Sequence, residues 1–278
     1  MMSQEISLSV HTLHNTQVSN AIISRVQLFF SRKLYIGLYL PLIILALWQT
    51  ASTYEWIDRV FLPKPLEVVT AFWYMLWQQE LLSDILISLE VVAQGFLYGA
   101  IVAILLGIAA GLSKRVELFF APTLNTLRHI PTIAWFPLIV VWLGLGAPAK
   151  ILILAKSVFF PVFLNTLQGI RSVDKSYLEL ASVLKLSKWQ LVRKVIFPAI
   201  LPSIAVSLRY SAGLAWALVV IAEGLSGLYG LGFLIFRAQQ LFMTEQLLVC
   251  MVLIGAIGYA IDRSLYFAQR KLMKWKTD

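Results

Sequence analysis

The sequence predicts an all-α integral membrane protein: six transmembrane helices, with a helical cytosolic interval between the fourth and the fifth. Three observations carry this. Of 278 residues, 59% are hydrophobic and 13% charged, against about a quarter charged in an ordinary soluble domain. Apolar runs recur at about the 20 residues that a helix needs to cross a hydrocarbon core of about 30 Å. Lys and Arg, finally, are shared out very unevenly between the segments that join those runs.

Taken in order, residues 1–33 form a cytosolic tail, polar over the first 22 residues and without the charged start, apolar middle and cleavage site of a secretory signal. Spans follow at 34–54, 86–112, 118–143, 149–170, 200–223 and 245–267, and 271–278 is a basic cytosolic tail. The third run carries Pro122, Pro131 and Pro137, so it should kink or break, which is tolerated at membrane depth where protein or a water-filled cavity covers the backbone. Of the 23 Lys and Arg, only Arg59, Lys64, Lys150 and Arg237 fall on one side, and Arg128, Lys156 and Arg209 fall inside spans. All the rest lie on the side of the N-terminus, which places both termini in the cytosol of a plasma-membrane protein. The net charge of +9 is therefore topological and implies contact with lipid headgroups, not nucleic acid. No linker divides residues 34–270. One cysteine, Cys250, excludes an intrachain disulfide, and His11, His14 and the solitary His129 make no metal site.

The cytosolic interval 176–203 reads "SYLELASVLKLSKWQLVRKVIFPAILPS". Ser176 to Glu179 and Ser187 to Gln190 both have the capping-box spacing, in which a Ser oxygen takes an early backbone N–H and the Glu or Gln reaches back. They predict two short helices, about 177–185 and 188–196, ended by Pro198 and Pro202. Leu180, Ala181, Val183, Leu184 and Leu186 give the first an apolar side too small to be a core. Such a helix is suited to a partner's groove.

At this point the chain resembles the permease subunits of ATP-binding-cassette importers, whose signature is Glu-Ala-Ala, then Gly, then a hydrophobic residue and Pro. Here it reads Glu179-Leu180-Ala181, with Val195, Ile196, Phe197 and Pro198 completing the spacing. The family's Gly falls on Lys185, so the bend after the first helix has to be made otherwise, with Ser187 supplying the turn from the far side. The resemblance implies a type I importer fold in which residues 177–196 are coupling helices seated in a cleft of an ATPase subunit. Glu179, Ala181, Leu184, Lys185, Ser187 and Pro198 are the implied coupling residues. Three further stretches, "LRHIPTIAWFPLIVVWLGLGAPAKILIL", "FFPVFLNTLQGI" and "ALVVIAEGLSGLYGLGFLI", resemble the subgroup importing aliphatic sulfonates, taurine, nitrate and bicarbonate, and above all the aliphatic sulfonate permeases. The implied partners are a second permease copy, two ATPase subunits carrying ATP and Mg, and an extracytoplasmic substrate-binding protein. This chain itself holds no cofactor, and it has no Gly-x4-Gly-Lys-Ser/Thr phosphate loop.

Five residues are candidates for the substrate pathway. A cation at mid-membrane costs about 2.5–3.5 kcal/mol on the insertion scale, so Arg128, Lys156 and Arg209 need compensation. Arg128 stands just before Pro131, where an interrupted helix could offer free N–H groups and a guanidinium to an anion; alternatively it snorkels, or pairs with Glu90 or Glu223. Arg209 could instead brace the coupling interval. Trp135 could line the route, and Glu223, just before Gly224, Gly227, Gly230 and Gly232, could gate it at an outer turn. A secondary carrier using Glu90 and Glu223 would show repeat symmetry, which the sequence lacks. An enzyme would need a clustered nucleophile and base or metal ligands, and Asp84, Glu90 and Glu223 form no recognisable dyad.

Overall fold

A computed structural model describes residues 39–78 and 81–273. The tail expected at 1–33, with His11 and His14, lies outside the described residues, as do residues 274–278 of the tail expected at 271–278, whose first two residues end the last helix. The chain divides into two compact units, one ending at Glu67 and one starting at Val68.

The first unit contains α1, Tyr39–Thr53, and the segment after it. Its Trp48 indole donates to Pro63 O at 2.8 Å and its Ser52 hydroxyl to Leu62 O at 3.0 Å, folding that segment back along the helix. The predicted run 34–54 is described only over α1. Helix α2, Pro65–Gln78, leads into the second unit.

The second unit is a helical bundle. In order come α3 (Leu81–Leu112), α4 (Lys114–Arg128), a 3-10 turn (Thr132–Trp135), α5 (Phe136–Leu143), α6 (Ala147–Arg171), α7 (Lys175–Val183), α8 (Lys188–Leu191), α9 (Phe197–Ser226), α10 (Leu231–Gln240) and α11 (Thr244–Leu272). Four helices among the described residues are long and apolar enough to cross a membrane, five if the bent pair α4–α5 counts as one span. The predicted third span is that pair. It bends by 94° at residues 129–131, so Pro131 makes the break, while Pro122 sits inside α4 and Pro137 in the first turn of α5.

The central contact is α3 on α6. A stripe of small residues, Gly95, Gly99, Ala103, Gly107 and Gly111, recurs at every fourth position of α3, one face of a helix. Against it lie Ile151, Leu154, Ala155, Thr166 and Ile170 of α6, so close that a Cβ on Gly99 would stand 2.4 Å from the Ala155 carbonyl and one on Gly107 2.8 Å from Thr166 Cβ. In lipid, where apolar surface gains little from leaving its surroundings, this approach of backbones is what dispersion can exploit. The buried Trp216 indole ties α9 to α11 by donating to Ile254 O at 2.9 Å.

At one end of the bundle, Ile200 and Ile204 of α9 and Ile196 just before it pack with Ile170 of α6 against Ile104 and Ile108 of α3. There too Arg171 pairs with Glu117, which also meets Lys114 at 3.2 Å. This end carries α7 and α8.

Candidate functional site

The interval between α6 and α9 contains the two short helices that the sequence predicts, with different starts and stops. The first is capped by Asp174, not Ser176: Asp174 Oδ1 accepts the Ser176 backbone N–H at 2.9 Å and its hydroxyl at 2.8 Å, so α7 begins at Lys175. The backbone N–H, then the hydroxyl, hold the Asp174 carboxyl below the usual carboxylate range. That cap therefore acts at and above the ordinary Asp range and weakens as pH falls through the lowered value. The side chain of Glu179 is released from the predicted capping role and is exposed. The second box is as expected. Gln190 Oε1 accepts the Ser187 N–H at 3.0 Å, and Ser187 Oγ accepts the Gln190 N–H at 3.3 Å.

The bend between them corrects the expectation that it would be made elsewhere. Lys185 itself adopts the left-handed conformation, φ 51°. Leu186 N donates to Ala181 O at 3.1 Å and Lys185 N to Ser182 O at 3.0 Å, the paired bonds of a Schellman termination. A side chain in that conformation costs about 1 kcal/mol, held here by the two hydrogen bonds. Lys185→Gly should accordingly slow amide exchange at positions 185 and 186; faster exchange would contradict the strained-turn reading.

Pro198 does not end the second helix either. It is in the first turn of α9, and α8 reaches it through a π-helical turn, Val192–Ile196, closed by Phe197 N on Val192 O. Lacking an N–H and pressing on the carbonyl one turn back, a proline is accommodated by such a widened turn. Residues 189–226 thus form one continuous helix, and the predicted span 200–223 extends at both ends. Ala181 is 4% exposed and serves packing, whereas Leu184 is 62% and Trp189 69% exposed, with Tyr177, Leu180 and Val183 also uncovered.

The candidate pathway residues separate into distinct places. Lys156 on α6 donates to Ile130 O at 3.3 Å and contacts Thr132 Oγ1 at 3.5 Å, and its ammonium stands 5.4 Å from the Trp135 ring centroid and 5.3 Å from that of Phe160. The carbonyls freed by the Pro131 break are thus what a mid-span lysine compensates, aided by ring faces. Trp135 and Lys156 line one cavity of about 470 Å³, with Tyr98, Val102 and Trp142 among its apolar walls. Arg209 does not brace the coupling interval. It forms a two-bond pair with Asp262 of α11, Nε to Oδ1 at 2.5 Å and Nη2 to Oδ2 at 2.6 Å, beside the Tyr266 ring. Uptake and thermal stability should fall in Arg209→Ala and Asp262→Ala, the double variant losing less than the sum of the two; strict additivity would show that the pair is idle.

Arg128 pairs with neither Glu90, which accepts from Gln94, nor Glu223. It is exposed at the last turn of α4 and lines a crevice of about 140 Å³ with Asn125, Gln168, Glu117 and Arg171. Glu223, far from these, is fully buried at the opposite end of the bundle, where Asp84 and Ser88 of α3 join it around the start of α10.

The family model described as "Binding-protein-dependent transport system inner membrane component" matches residues 103–274. The chain belongs to that family. It is thus a multi-pass inner-membrane permease component of an ATP-binding-cassette importer, a subunit that works with ATPase subunits and a substrate-binding protein. Among its relatives is the "Putative aliphatic sulfonates transport permease protein" of Bacillus subtilis, 38% identical over 86% of this chain and 87% of that protein. The taurine transport system permease protein of Escherichia coli is 31% identical over 88% and 91% of the two chains. A solved structure of the MetNI methionine transporter in an inward facing conformation superposes with a TM-score of 0.63 at 17% identity, covering 72% of this chain and 98% of that one. That likeness supports the type I importer permease fold.

Sequence reasoning about this permease missed Asp262, Ser88 and Lys150, and set Asp84 aside as part of no recognisable dyad. Asp262 had a readable signal: a carboxylate in the last apolar run needs a cation on a neighbouring span, and Arg209 was available. Lys150 reads as a loop residue, yet it lies in the first turn of α6 and is 3% exposed.

Proposed function

We propose that this permease imports a small organic oxyanion, foremost an aliphatic sulfonate, working as a homodimer with two ATPase subunits and an extracytoplasmic binding protein, with both termini of each copy in the cytosol. The observation that carries the coupling role is the shape of residues 175–196: two capped helices with an uncovered apolar face, continuous with a 38-residue helix. A partner that grips α8 moves α9 directly, because no flexible joint intervenes. Glu179, Leu184, Lys185 and Ser187 offer side chains to the ATPase cleft, Ala181 packs the helix against its own chain, and Pro198 sets the π turn through which the push travels. The sulfonate reading is supported by the similarity to sulfonate and taurine permeases and by Arg128, a cation in the bent span that has no ion pair among the described residues.

On this reading Arg128→Gln lowers uptake of the oxyanion by about tenfold or more, the loss of a hydrogen bond to a charged group, while the ATPase still co-purifies. Unchanged kinetics would return Arg128 to the role of a snorkelling residue. The test of the whole is purification of the tagged permease from its own membranes in mild detergent, followed by uptake assays with sulfonates, taurine and nitrate in proteoliposomes. Co-elution of a phosphate-loop ATPase with sulfonate-selective uptake supports the reading; nitrate-only uptake would replace the cargo, and no ATPase would remove the mechanism.

A further inference from the structure

The turn from α9 into α10 is held by side chains of other elements. Gly227 ends α9 in the left-handed conformation, φ 65°, and Gly230 turns the chain at φ 106°. The first helix-initiating N–H groups of α10 have no local side-chain cap. Instead Gly230 N donates to Asp84 Oδ1 at 2.7 Å, Leu231 N to Ser88 Oγ at 2.9 Å and Gly232 N to Glu223 Oε2 at 2.9 Å, and Ser88 Oγ donates to that same Oε2 at 2.8 Å. Three successive amides are thus taken by two spans, α3 and α9. The fit is tight, since a Cβ on Gly232 would stand 2.2 Å from Val220 O and one on Gly230 2.3 Å from the Glu223 carboxyl carbon.

Two groups in this cluster are left over. Glu223 is 0% exposed, yet its Oε1 has no hydrogen-bond partner among the described residues. Lys150 is 3% exposed in the first turn of α6, where the helix dipole disfavours a cation. The charges of Glu223 and Asp84 act on it, but no hydrogen bond or ion pair joins it to Glu223. A half-satisfied carboxylate is costly in a dry interior, and the packing that sets Gly95 of α3 against Ile151 and Leu154 of α6 brings Lys150 to the same end of the bundle.

We propose that Asp84, Ser88, Glu223 and Lys150 form a two-position latch at the end of the permease opposite the coupling helices. In the position seen here, Ser88 and Glu223 hold the amides of α10 and keep α3, α9 and α10 together. In the other, Glu223 gives up Gly232 N–H and closes onto the Lys150 ammonium, freeing the start of α10 to move. Proton count and charge are the same in both, so the exchange needs no titration. An importer has to expose its pathway to its two sides in turn, and residues that stabilise opposite positions should bias that equilibrium in opposite directions. The assignment is independent of which anion is carried.

The test uses the complete transporter in lipid nanodiscs, with ATP hydrolysis measured with and without the binding protein. Ser88→Ala, which weakens only the position seen here, should raise hydrolysis without the binding protein by about fivefold or more, since it removes two hydrogen bonds and one of ordinary net strength is worth about that factor. Gly230→Ala, which crowds the Glu223 carboxyl from the turn side, should act in the same direction. Lys150→Met removes only the second position, so it should lower the stimulated rate by a similar factor and leave the unstimulated rate unchanged. Opposite signs support the latch. If these variants lower both rates together, or change neither, the cluster is structural packing and the proposal is overturned.

Discussion

Glu179→Lys and Leu184→Asp each reduce ATP-driven uptake to background while the permease still inserts and reaches wild-type abundance. Both side chains are exposed, Glu179 on α7 and Leu184 just past its last residue, and neither supplies the side-chain cap, because Asp174 does. Loss of function therefore tracks loss of a partner's contact, not loss of the helix. Leu184 is the stronger probe. Placing a carboxylate in an apolar cleft leaves a charge without water or counter-ion, and truncation of central anchors at interfaces commonly costs 2 kcal/mol or more, roughly thirtyfold in affinity. Quantitative blotting of membranes together with uptake of radiolabelled sulfonate separates the outcomes. Normal uptake in both variants would remove residues 175–196 from the coupling mechanism.

The second large effect is structural. Gly99→Leu should prevent α3 from seating on α6, because the new Cβ would lie 2.4 Å from the Ala155 carbonyl and 2.9 Å from its Cα, and backbone cannot give way as the end of a flexible side chain does. Overpacking of this kind costs about 1–3 kcal/mol in ordinary cores and more where backbone is struck. The expected result is a permease that is degraded or aggregates on mild solubilisation, read by size-exclusion chromatography. Gly213→Leu is the matched control, since a Cβ there meets nothing within 4 Å. A Gly99 variant that stayed monodisperse would show that α3 and α6 do not pack as described.

Much of this was legible in the sequence because it depends on local patterns. Apolar runs mark spans, the Ser187–Gln190 box marks a helix start, and Pro131 marks a break; each is decided within a few residues. The errors were also local in kind. Ser176 and Asp174 both suit an N-cap, and a tie of that sort is settled by where the preceding span ends. Lys185 was read as unable to make the turn because propensity favours Gly there, but two backbone hydrogen bonds hold it in place. Pro198 stops a helix by rule and was instead absorbed by a π turn. The pairings were not legible, since they join residues far apart in the chain: Arg209 with Asp262, Ser88 with Glu223, Arg171 with Glu117. Lys156 shows the same limit from another side. It was read as snorkelling or facing an anionic ligand, and its compensation is a carbonyl exposed by the break in a different helix.

The central claim is that α7 and α8 dock into an ATPase from the cytosol. It is tested most directly by placing a photo-crosslinking amino acid at Leu184, irradiating membranes of the native host, and identifying the adduct by mass spectrometry. Leu184 projects from the uncovered face and Tyr98 from the body of α3, so Tyr98 is the control position. The account predicts an adduct with a phosphate-loop ATPase from position 184 and none from position 98. Lipid adducts alone at position 184, with an intact ATPase present in the same membranes, would contradict it.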